Sequence, residues 1–320
     1  MEEQILKKIN AHLQWGESID TINDKLNAYF GYQSFKNINE IKPADNHNRA
    51  RTVLHYFIRF KDDFLNKKDF KLNEKEINYL LKNSNLKFME SHDISILGHY
   101  IKEISKNDIF NDEQIDYLIN NSDLNHKIIL PTFSKAYSPL LIWIMNGKAV
   151  TDNRIFSRDH LEKMIDQLEK TEENSLLLIC SLDSFYLEKE KPVFDQELFE
   201  KVLAKTVITG DLITVLLAQL INYYPILVKR VGKENIKKIL SEESIFKNAE
   251  NDTILNAALI INNNKGTLIS AIDKIDDLAI KKMVLNYIID YAEKTVTSKL
   301  KLSDLEQINI IKNKLEIEKK

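Results

Sequence analysis

LNEKEINYLLKNSNL (72–86) and FNDEQIDYLINNSDL (110–124) are two versions of one line, 38 residues apart. Asn73, Ile77, Tyr79, Leu80, Asn83, Ser84 and Leu86 in the first match Asn111, Ile115, Tyr117, Leu118, Asn121, Ser122 and Leu124 in the second. Each shared position has a physical cause. An apolar residue opens the line. An Asn follows, and its side chain accepts a free amide at a helix start. Acidic residues fill the first turn, where the positive end of the helix dipole favours them. Apolar residues five, eight and nine places after the opening one fall on a single helix face.

The same grammar recurs more faintly along the chain. Phe156 is followed by Ser157, Leu161, Met164 and Ile165; Phe194 by Asp195, Phe199, Val202 and Leu203; Val231 by Ile236, Ile239 and Leu240. The openings at 72, 110, 156, 194 and 231 are spaced 38, 46, 38 and 37 residues apart. The longer gap holds NGKAVTDNR (146–154), which reads as an extended loop. Behind each amphipathic segment comes a more apolar one: 94–104, 139–145, 175–187, 212–224 and 253–261, with Asp211 and Asp252 or Thr253 as caps. Amphipathic and apolar helices alternating at this period resemble HEAT or armadillo-like arrays, over roughly residues 70–290. The resemblance is one of period and pattern, without the fixed Pro, Asp and Arg of standard HEAT units. It implies an all-α fold, a right-handed α-solenoid of stacked antiparallel helix pairs with a small helical N-terminal unit.

In that N-terminal unit Ile5, Ile9 and Leu13 share a face, and Ile22, Leu26 and Tyr29 or Phe30 share another. Gly31 closes the second helix, and Ser34 caps a short third with Phe35 and Ile38 inward. The line from Gly31 to Ile38 is similar to a short helical motif found at the start of various bacterial proteins. KPADNHN (42–48) reads as a linker, which divides the chain into 1–44 and 45–320. Beyond it, RARTVLHYFIRFKDDFL reads as one helix capped by Asp45 or Asn46, with Val53, Phe57 and Phe60 on one stripe. The last helix starts at Ser303 and, being polar over much of its surface, suits the end of an array.

Composition agrees with helices. Gly (7) and Pro (5) are scarce, whereas sheet-rich chains need many turn residues. With 43% hydrophobic residues a continuous core is within reach. The 45 basic and 48 acidic residues give a net charge of −3, which disfavours a chain that wraps nucleic acid. Lys far outnumbers Arg, the better bidentate reader of phosphate. Cys180 is the single cysteine, so internal disulfides and thiolate metal clusters are excluded, and its apolar neighbours mark it as a small buried hydrophobe. No signal peptide is legible and no stretch approaches the ~20 apolar residues of a membrane span, so a soluble cytoplasmic protein is expected.

No phosphate loop, HExxH or GxSxG elbow is present, and no catalytic residue, metal site or cofactor is expected. Ser91, His92 and Asp93 are adjacent and point in different directions, so they form no relay. His92 and His99 lie about 10.5 Å apart along a helix, too far to share a metal. Two sets of binding residues are expected. Arg51, His55 and Arg59 stand at spacing four and make one basic stripe on a helix. Tyr186 and Tyr224 end apolar helices, where each reads either as core or as an aromatic anchor that reaches a concave groove. The expected function is a non-enzymatic scaffold whose concave surface binds a macromolecule, above all a protein, including the case of a bacterial effector or immunity protein. The alternative is a HEAT-like nucleic-acid binder, or an enzyme resembling DNA glycosylases, which grips a duplex in a basic groove.

Overall fold

Each of the five opening residues is followed by a helix. In the computed structural model, which describes residues 1–18, 34–44, 49–87, 95–103, 110–125, 138–145, 156–183, 193–242, 272–295, 306, 310 and 313, the chain divides into two compact units, Met1–Leu168 and Glu169–Lys320. The described residues are mostly helical.

The first unit holds α1 (Glu2–Ser18), a two-stranded antiparallel ribbon of β1 (Lys42–Ala44) and β2 (Arg49–Arg51), α2 (Val53–Arg59), α3 (Lys61–Asn66), α4 (Glu74–Asn83), α5 (Ile96–Glu103), α6 (Asp112–Asn121), α7 (Pro139–Met145) and α8 (Arg158–Asp166). Two rows emerge. In one, α1 packs on α4, α4 on α6 and α6 on α8; in the other, α2 packs on α5 and α5 on α7. The second unit holds α9 (Ser175–Ser181), α10 (Gln196–Ala204), α11 (Gly210–Val231), α12 (Lys233–Leu240) and α13 (Leu278–Thr295). There α9, α10 and α11 pack on one another, α11 packs on α12, and α12 packs on α13.

The helix starts explain why the repeated line reads as it does. Leu72, Phe110, Phe156, Phe194 and Val231 are all buried, and each stands one residue before an N-cap. Ile77, Ile115, Leu161, Phe199 and Ile236, five places on, are buried too. That pair of positions is the hydrophobic staple, which fixes the angle at which the chain enters a helix. Inside the helix the buried residues fall four, five, eight and nine places after each opening, in all five helices. The tail of the line is equally determined. Asn83 and Asn121 donate to the carbonyls of Tyr79 and Tyr117 at 2.7 and 2.8 Å. Ser84 and Ser122 end their helices, and Asn85 and Asp123 accept from the amides two residues on, bending the chain so that Leu86 and Leu124 turn inward.

Several expectations take a different form. The linker region 42–48 begins as a strand, and residues 45–48 lie outside the described residues. The helix expected from residue 49 is split. Arg49–Arg51 pair with Ala44–Lys42, Thr52 is the N-cap, and Phe60 separates α2 from α3. The boundary near residue 45 thus falls within the ribbon, inside the first unit. Phe35 and Ile38 are buried as foreseen, but in irregular backbone and a turn rather than a helix, with Asn10 pairing with both backbone groups of Phe35 at 2.8 and 2.9 Å. The start of α11 is capped by Thr209, whose Oγ1 accepts from Leu212, and Asp211 lies exposed in the first turn. Cys180 is only half-buried, and burial followed by the charge of Asp183 raises its thiol pKa. Asp252, Thr253, the 146–154 loop and the helix start at Ser303 lie outside the described residues.

Among the described residues one helix, α11, is long and apolar enough to cross a membrane by length and composition alone, longer than the apolar segment 212–224 expected from the sequence. Half of its apolar window is buried inside the fold. Tyr223 leaves helical geometry (φ −134°, ψ 28°) two residues before Pro225, whose ring and missing N–H force the kink.

Candidate functional site

The fourth residue after each opening occupies the third position of its helix, and in three helices it bonds in two directions. Glu76 accepts from the Asn73 amide at 2.8 Å and from Lys8 of α1 at 2.7 Å. Gln114 accepts from the Asn111 amide at 3.0 Å and donates to Asn78 of α4 at 2.8 Å. His160 accepts from the Ser157 amide at Nδ1, 3.2 Å, and faces Asp116 of α6 through Nε2 at 3.4 Å. The bond at Nδ1 places the imidazole proton on Nε2. Asn78 and Asp116 each stand six places after their own opening, so the same two positions join α4 to α6 and α6 to α8. Glu76, Gln114 and His160 are each at least 95% buried. Capping each helix and tying it to its neighbour are therefore one device.

This ladder makes a measurable claim. Gln114→Ala is expected to cost about 1–2 kcal/mol, from a lost capping partner and a buried hydrogen bond. A double-mutant cycle with Asn78→Ala should show coupling of about 0.5–1.5 kcal/mol in urea unfolding. Strictly additive losses would mean the two residues do not hold the helices together.

The ladder also fixes what the row shows to water. Tyr79 and Tyr117, seven places after their openings, are partly exposed on neighbouring helices in equivalent positions. The Tyr117 hydroxyl lies 3.5 Å from the Lys82 carbonyl, and Asn111 reaches Glu74 at 3.4 Å. Glu162 and Lys163 continue the surface on α8, with Lys163 on Asp116 at 2.6 Å.

The expected Arg51–His55–Arg59 stripe does not form. Arg51 is in β2, His55 is fully buried in α2, and Arg59 ends α2 exposed, so the three do not line one helix face. His55 packs instead against His99 of α5, ring centroids 5.3 Å apart, with Thr52 Oγ1 3.0 Å from its Nδ1. Tyr186 lies outside the described residues, as do Ser91, His92 and Asp93. Tyr224 is 5% exposed rather than on a groove, and its hydroxyl donates to Asp276. Burial and that bond push its phenol up to about 12. Asp276 also receives Lys233 at 3.0 Å, while Asp277 caps α13 through the amides of Ala279 and Ile280 and holds Lys237 at 3.1 Å. This cluster ties α11 and α12 to the start of α13.

No family model, curated protein or solved structure matches the chain.

Sequence reasoning missed a buried polar cluster in the first unit. His12 of α1 is 3% exposed, with Nδ1 2.8 Å from the Tyr56 hydroxyl and Nε2 2.8 Å from Asp63. Phe64, Phe70 and Phe60 surround the ring at centroid distances of 4.7, 5.0 and 5.3 Å. Burial pushes the imidazole below the ordinary histidine range, against the pull of Asp63. Part burial works to raise the Asp63 carboxyl, but hydrogen bonds from His12 and Lys67 outweigh it and hold it low. Burial and the Asp63 charge push the Tyr56 phenol far up. Hydroxyl, imidazole and carboxylate stand in relay order, yet Tyr56 is 3% exposed and offers no reacting group to a substrate. The cluster is a buried hydrogen-bonded joint between α1, α2 and α3. Among the described residues no group of three His, Cys, Asp or Glu side chains is placed to hold a metal ion.

Proposed function

We propose that this chain is a non-enzymatic helical-repeat scaffold, a right-handed α-solenoid of stacked antiparallel helix pairs, that binds a protein partner. The observation carrying this reading is the ladder from the fourth position of one helix to the sixth position of the one before. A repeated joint of this kind propagates one geometry along a row and presents equivalent outward positions at regular intervals. Tyr79 and Tyr117 are the anchors on that surface, since aromatic side chains supply large contact area at low entropic cost. They replace Tyr224, which is buried in its own fold, and the Arg51–His55–Arg59 stripe, which does not form.

The double variant Tyr79→Ala/Tyr117→Ala is expected to fold with little change and to weaken partner binding by about 30-fold or more, from about 1–2 kcal/mol per anchor. The check is quantitative mass spectrometry of proteins retained from native lysate by the tagged full chain and by the variant. Equal retention of the same proteins by both would remove the two tyrosines from the binding surface.

A further inference from the structure

Among the described residues, the first helix of the row is held by contacts of two kinds. Ile5 and Ile9 are fully buried, Lys8 bridges to Glu76 of α4, and Asn10 and Glu2 pair with the backbone of Phe35 and Ile38. None of these involves an imidazole. The other contact does: His12, sealed between α2 and α3 by three phenylalanine rings, with both nitrogens committed to ionisable partners. We propose that His12 is a proton-operated latch that secures α1 to α2 and α3, so that protonation loosens α1 from the end of the row. This inference is independent of which partner the scaffold binds.

The geometry sets the direction. In the latched state Nε2–H donates to the Asp63 carboxylate and Nδ1 accepts from the Tyr56 hydroxyl. Protonation makes Nδ1 a donor as well, so Tyr56 has to turn its hydroxyl proton away, and a second charge enters a site walled by phenyl rings. Among the described residues, the charged and titratable groups facing His12 are Tyr56, Asp63 and Lys67. Tyr56 comes from α2, Asp63 from α3, and Lys67 from the end of α3, where it bonds Asp63 at 2.9 Å. Phe70, from the loop before α4, is apolar, and on α4 itself Glu76 is already engaged by Lys8. Asp63 favours the imidazolium, while burial and Lys67 oppose it, and burial is the largest of these influences.

The sign follows. The folded His12 sits below the ordinary value of about 6.5, so the opened state binds more protons than the latched one. Latching is therefore complete above about pH 6.5. It is lost progressively as pH falls from there toward the folded value, with a limiting slope of tenfold in the opening equilibrium per pH unit for one proton. Asp63, held low, acts in a separate window, lost only as pH falls below the ordinary carboxylate range.

Two measurements on the full chain test this together. The His12 imidazole is titrated by NMR with labelled histidine, and amide exchange of residues 5–12 is followed from pH 7.5 to 5, with residues 114–121 of α6 as reference. The expected result is a His12 midpoint below 6.5, and an α1 opening constant that rises by up to tenfold per pH unit while α6 stays level. His12→Gln should flatten the α1 response. If that variant does not fold, coincidence of the two wild-type midpoints carries the test. A His12 midpoint at or above 6.5, a flat α1 response, or α1 and α6 opening together would each overturn the latch.

Discussion

Replacing Phe110 by Ala is expected to destabilise the first unit by about 3–5 kcal/mol, the range for truncating a buried phenylalanine. Phe110 is 3% exposed and opens the second copy of the repeated line. Its ring lies 4.7 Å from Tyr100 of α5 and 6.3 Å from Phe57 of α2, so it joins the two rows of helices as well as stapling the start of α6. A side chain with three such roles leaves a cavity its neighbours cannot easily fill. The variant should lower the urea midpoint with the m-value unchanged, because the same surface is exposed on unfolding. For comparison, Ile115→Val, at the other half of the staple, should cost only about 1 kcal/mol. A loss below about 1 kcal/mol for Phe110→Ala would mean that the opening residue is not the pin that the repeat requires.

The second large effect is expected at Gly232. It stands where the other four helices of the series carry Asn, Ser or Asp, but α12 begins directly from the end of α11 and the chain has to turn sharply. Gly232 does so at φ 87°, ψ 143°, a region that side chains make costly. An added Cβ also comes within 3.2 Å of Gln196 Oε1. The Gln196 side chain can swing aside, but it then gives up its bonds to the carbonyls of Val228 and Lys229. Gly232→Ala is accordingly expected to cost about 1–3 kcal/mol in the second unit by denaturant unfolding. A change within 0.5 kcal/mol would show that this turn relaxes to ordinary backbone.

The first-row helices were legible because every signal for them is local. The staple, the cap and the apolar positions lie within ten residues, and all are fixed by backbone geometry rather than by distant contacts. What was hidden depends on partners far along the chain. Nothing near His12 announces that its two nitrogens meet residues 44 and 51 positions away. Arg51, His55 and Arg59 have ideal helical spacing, but the strand pairing of Arg51 with Lys42 ends the pattern, and Thr52 rather than Asp45 or Asn46 caps the helix. Tyr224 ends an apolar stretch, as an anchor should, yet Asp276, 52 residues on, takes its hydroxyl and closes it in. The double use of Glu76, Gln114 and His160 was half visible. The capping spacing is in the sequence, while the second bond requires knowing which helix lies alongside.

The central claim, a scaffold that grips a protein, is tested most directly by affinity capture with the tagged full chain from native lysate, washed at increasing salt. The account predicts a discrete protein retained through high salt, because desolvated aromatic anchors are weakly screened. Nucleic acid retained at low salt and released steeply as salt rises would contradict it, since that is the behaviour of phosphate contacts.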